Sequence, residues 1–198
     1  MRRSVWAVAL ALAAALAFAG PAPAEPPIRN DLPSATEFAQ TEVVERGERL
    51  SALFEAEADG SDGALRRIRV ARAPIGGLVG LARAEYLSEV AEGFEARARR
   101  DCHRFEAAPL SSSGREEAAM EILCDGFDPI ASEDRRDDLN AYMLARFRLV
   151  GDSLIVFLYE WRSSAVSAHS VRASDLRRRE IDPAVARIEA ALGERLAE

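Results

Sequence analysis

Lysine is missing altogether: all 26 basic residues of the chain are arginine. A Schiff-base lysine and the lysine of a phosphate-binding loop are therefore excluded. Cysteine and histidine are scarce, with two of each. The set Cys102, His103, Cys124 and His169 lacks the close ligand pairs of a zinc site, and adjacent Cys102 and His103 would point apart on a strand. Internal repeats, heptad runs and long low-complexity tracts are also lacking. No convergent Ser/His/Asp set stands out, and nothing in the sequence asks for a cofactor.

What is present first concerns destination. Arg2 and Arg3 precede the apolar run VWAVALALAAALAFAG. Its ~15 apolar residues suit a secretory leader and are short for a membrane span. Ala22-Pro23-Ala24 offers the small-x-small cleavage pattern, so residues 1–24 are expected to be a signal peptide and Glu25 the mature start. With both arginines gone, the formal charge of −7 becomes −9. A chain this acidic repels nucleic acid and anionic lipid surfaces. Arginine without lysine, together with abundant alanine, suggests a GC-rich bacterial genome. The expected location is the periplasm, with no stable membrane span after cleavage.

Residues 25–40 hold several prolines and read as a flexible lead-in. Residues 41–198 suffice for one domain with a sizeable core. TEVVERGERLSALFEAEA and GALRRIRVARAP look like strands around the turn Asp59–Gly63. Ile68 and Val70 alternate with Arg67 and Arg69, as on a strand with one dry and one solvated face. Residues 80–100 form a helix with Tyr86, Val90 and Phe94 at i, i+4, i+8, and Leu87 and Ala91 widen the stripe. Three further strands and a fourth follow. In LNAYMLARFRLV, Ala141, Met143, Ala145, Phe147 and Leu149 share a face opposite Arg146 and Arg148. SLIVFLYEWR is apolar on both faces until Glu160, which marks a central strand needing cover. The cover is a last helix with Asp182 as N-cap, Pro183 at its first position and a stripe of Val185, Ile188, Leu192 and Leu196. The sum is an α+β domain: an antiparallel sheet of six to seven strands with two main helices packed on it.

In an exported chain, an even and minimal cysteine count points to a disulfide rather than a nucleophile. Cysteines directly opposite each other would set Arg104 across from Ile122, mixing wet and dry faces. Pairing Phe105 with Ile122 and Ala107 with Met120 is drier, and leaves Cys102 between helix end and strand. The bond Cys102–Cys124 would close a ~23-residue loop and contribute roughly 3 kcal/mol in the chain-entropy model.

Other candidates weigh less. Gly151-Asp152-Ser153-Leu154 spells the signature block of a serine esterase family. Here, however, it lies late in the chain and runs into a strand rather than a helix, as a Gly-Asp hairpin would. His169, in SSAVSAHS, suits an exposed loop. Asp59 with Asp62, and Asp125, Asp128, Glu133, Asp134, Asp137 and Asp138, could attract a cation but lack EF-hand spacing. The second cluster is the candidate interaction surface, because functional residues concentrate on loops. Tyr159 and Trp161 end the buried strand and belong to the core, with a pocket mouth as the alternative.

The order of pieces resembles a group of exported proteobacterial proteins with one cysteine at a helix end and another at a strand end. Their hairpin is similar to this one at Gly151, Asp152, Leu154, Val156, Trp161 and Arg162. The succession over residues 43–198 also resembles the PsbP-like α-β-α sandwich. An acidic loop stands where that group has a short Gly-Lys-Gly stretch. The resemblance implies a fold and carries over no catalytic residue. The expectation for function is a non-enzymatic periplasmic binding or accessory protein, with a protein or small-molecule partner in the cell envelope. The alternatives are a hydrolase using Ser153 and a carrier of small apolar ligands.

Overall fold

The computed structural model describes residues 38–56, 65–76, 81–110, 116–127, 139–163, 168 and 173–197. The expected leader and most of the lead-in fall outside them. Three strands come first: β1 (Phe38–Arg46), β2 (Arg49–Ala56) and β3 (Leu65–Pro74). Gly47, at φ 59°, makes the tight turn that splits the first predicted strand in two. Helix α1 (Leu81–Arg100) then crosses to β4 (Cys102–Leu110), β5 (Glu117–Phe127), β6 (Leu139–Val150) and β7 (Ser153–Ser163). The chain ends in α2 (Ala173–Leu176), a π turn (Arg177–Ile181) and α3 (Asp182–Ala197).

The strands form one antiparallel sheet in the order β1-β2-β3-β7-β6-β5-β4. The apolar β7 is the central strand, as its sequence requires. Alternation along it feeds two cores. Ile155, Phe157, Tyr159 and Trp161 face one side, and Leu154, Val156 and Leu158 the other. On the second side Tyr86, Leu87 and Ala91 of α1 close over Ile122, Met143, Ala145 and Phe147. On the first side Ile181, Val185, Ile188, Leu192 and Leu196 close over Phe54, Ile68, Val70 and Leu144. The result is an α+β domain with a helix on each face of the sheet.

Asp182 is not an N-cap. Its backbone angles are helical, φ −61° and ψ −44°, and its N–H bonds to the Arg177 carbonyl, five residues back. Helix therefore already runs upstream of Pro183. Proline offers no N–H to the carbonyl four residues earlier and collides with it, and a wider π turn just before it relieves that conflict.

The disulfide Cys102–Cys124 is formed, with a Cα–Cα distance of 5.5 Å. Its strand register is two residues from the drier pairing the sequence suggested: Phe105 lies opposite Cys124, and Ala107 opposite Ile122. An even shift keeps every side chain on its face, so alternation could not choose between the two. Cys102 is the first residue of β4 and pairs with Phe127. A bulge between Cys124 and Phe127 bends β5 toward it. Gly126 in that bulge sits at φ 68°, and a Cβ there would lie 2.7 Å from His103 Cδ2. His103 thus lies against the Gly126 backbone while remaining an exposed residue.

Candidate functional site

The two helices cover opposite halves of the sheet. Helix α1 lies across β4, β5 and β6 on one face. On the other face α3 lies over β1, β2, β3, β7 and the near side of β6. That leaves β4 and β5 uncovered by α3, and a groove of about 510 Å³ runs between them and the helix. Its apolar lining includes Leu110, Ala119, Phe157 and Val185, and its rims carry Arg146, Arg148, Arg177 and Arg178 against Glu117, Asp182 and Glu189.

Strand alternation places these groups. Arg146 and Arg148 leave β6 on the α3 face, opposite Ala119 and Glu117 of β5. From there they reach the helix, where Arg146 is ion-paired to Asp182. Arg148 Nη2 lies 2.7 Å from Glu189 Oε1. These pairs hold α3 to the sheet through long side chains, and the space between them is the groove.

The π turn forms one end of the helical wall and is tied down on both sides. Tyr142 donates its phenol hydrogen to Glu121 Oε1 at 2.7 Å, and Arg177 Nε lies 3.7 Å from the same oxygen. Tyr159 donates to Glu180 Oε1 at 2.7 Å, with Arg66 Nε 3.7 Å away. Burial pushes both phenols far above their ordinary range, and the adjoining glutamates add to the rise. Both tyrosines therefore stay neutral donors. Their rings meet edge to face with centroids 6.0 Å apart. The π form suits this place, since such turns recur at functional sites.

The residues singled out in the sequence are scattered. Of the acidic set, Asp125 accepts a hydrogen bond from the Ala168 N–H at 2.9 Å, a structural tie. Asp128, Glu133, Asp134, Asp137 and Asp138 lie outside the described residues, as do Asp59, Asp62 and His169. Gly151–Leu154 forms the β6–β7 hairpin, with Gly151 at φ 54°. Its carbonyls are in structural use: Gly151 accepts from Arg83 Nη1 and Asp152 from the Ile75 N–H, each at 2.9 Å. Ser153 opens β7, at the other end of the sheet from His103. Tyr159 and Trp161 are core residues outside the groove. Among the described residues no group of three or more His, Cys, Asp or Glu is placed to hold a metal ion.

Arg67 and Arg69 depart from the expected solvated face. Arg67 keeps 20% side-chain exposure, with Nε 3.5 Å from Glu160 Oε2. Arg162 Nη2 donates to Glu160 Oε1 at 3.0 Å. Burial pushes the Glu160 carboxyl up, and Arg162, Arg67 and Arg69 together pull it further down, below the usual range. Burial lowers the Arg67 guanidinium, against the pull of Glu160.

Comparison with known proteins finds no match: no family model fits the chain, and no curated protein or solved structure matches it. No described helix is long and apolar enough to cross a membrane.

Proposed function

We propose that this chain is a non-enzymatic binding or accessory protein of the bacterial cell envelope, exported to the periplasm, and that the groove beside α3 receives its partner. The groove itself carries the proposal: about 510 Å³ of space beside α3, where the side-chain ion pairs Arg146–Asp182 and Arg148–Glu189 bridge the helix to β6. Sites of this kind join apolar lining to a few placed polar groups. Four arginines and three carboxylates among the lining favour a charged or amphipathic ligand over a purely apolar one. Export is supported by the leader pattern and by a disulfide, which persists in oxidising compartments. The hydrolase alternative has little support, because Ser153 sits in a hairpin whose neighbouring carbonyls hold the fold together.

Native mass spectrometry of the protein purified from periplasm tests this. The expected result is added mass that leaves on denaturation and is absent from Ala119→Trp, which fills the groove. Fluorophosphonate labelling that disappears in Ser153→Ala would instead make the chain a hydrolase and overturn the proposal.

A further inference from the structure

The groove has a helix on one side and the edge of the sheet on the other. Strand β4 is the last strand there, and no described helix stands beyond it. An uncovered edge is a template for pairing unless it is blunted by proline, charge or bulges. The opposite edge, β1, carries a bulge between Gln40 and Glu42. On β4 the one proline is Pro109, next to the last residue. The charges in its middle, Arg104 and Glu106, are exposed and of opposite sign, so they block self-pairing only in registers that set like charges together.

We infer that β4 pairs with β4 of a second copy of this chain, antiparallel about a two-fold axis at Phe105. Charge complementarity fixes this occupant and its register. With the axis at Phe105, Arg104 of each copy faces Glu106 of the other, giving two opposite-charge cross-strand pairs. Moving the axis one residue either way would set Arg104 against Arg104 or Glu106 against Glu106, which is repulsive. The paired stretch then runs from Cys102 to Ala108. Pro109, with no N–H to give, falls just outside it. At the axis the half-buried Phe105 rings meet, each already capped by Arg99, whose guanidinium carbon lies 4.4 Å from the ring centroid. Glu95 pairs with Arg99 at 2.8 Å and tempers the charge brought together there.

The symmetry bears on the groove. A two-fold perpendicular to the sheet keeps both groove faces on the same side of one continuous sheet. The open side of each groove then faces its counterpart, and two grooves become one trough bounded by two α3 helices. The dimer stands independently of what the groove binds.

Sedimentation equilibrium of the oxidised protein in the micromolar range tests the pairing, with circular dichroism confirming that each variant is folded. Wild type is expected to dimerise, and Glu106→Arg to weaken association by at least about tenfold, because both cross-strand pairs become repulsive. The double change Arg104→Glu/Glu106→Arg restores opposite charges in both pairs and should recover the dimer. A wild type monomeric throughout that range overturns the inference. So does a dimer indifferent to Glu106→Arg, or one the double change fails to restore.

Discussion

Among the described residues each face of the sheet has one half without a helix, and the two halves handle charge differently. Over β3 and β7 on the α1 face, Arg67 pairs with Glu160 across the strands and Arg162 with Glu160 along β7. The three lie flat, with side-chain exposures of 20%, 12% and 13% for Arg67, Glu160 and Arg162. Over β5 and β6 on the α3 face, Arg146 and Arg148 pair strand to helix, at exposures of 35% and 36%. Flat pairs close a surface. Spanning pairs prop two elements apart and leave room beneath. The contrast explains why the groove lies where it does, although both halves are rich in arginine.

The comparison can be broken at several points. Ile188→Ala removes packing that α3 shares with the sheet, and should cost about 3–4 kcal/mol in urea unfolding, since a buried isoleucine leaves a cavity. Glu160→Gln should cost about 3 kcal/mol, because it strands arginines that are mostly out of water. Tyr159→Phe should cost about 1–2 kcal/mol by leaving the Glu180 carboxylate without its phenol donor. Asp182→Asn, on a half-exposed pair, should cost under about 1 kcal/mol, yet it should change binding at the groove more than Glu160→Gln does. Similar stability losses at Glu160 and Asp182 would erase the distinction between flat and spanning pairs.

Acid offers another test. The Glu160 carboxyl lies below its unfolded value of about 4.3, so the folded state binds fewer protons there. Its stabilisation is present above that pH and is lost as pH falls through the lower folded value. Urea midpoints should therefore drop more steeply in acid for wild type than for Glu160→Gln.

Much of the fold was legible because it is written in local periodicity. The two-faced apolar run of β7 announced a central strand, and the stripes of α1 and α3 announced their buried sides. Compartment chemistry and cysteine number together gave the disulfide. The groove was not legible, because it depends on which half of the sheet each helix covers. That follows from β7 inserting beside β3 and β4 taking the far edge, and no local pattern encodes it. Asp182-Pro183 misled for a related reason: a start signal reads the same whether a helix begins there or arrives from upstream through a π turn. Glu121 shares a strand face with Ala119 and Leu123, and a carboxylate set between those two apolar residues was the available hint of its bond to Tyr142.

Hydrogen exchange tests the central claim most directly. Protein purified gently from its native source is compared with the same protein stripped by unfolding and refolding. The account predicts lost protection in β5, β6 and the π turn on stripping, with β2 and β3 unchanged. Loss centred on β2 and β3, around Arg67 and Glu160, would place the binding surface on the wrong half of the sheet and contradict it.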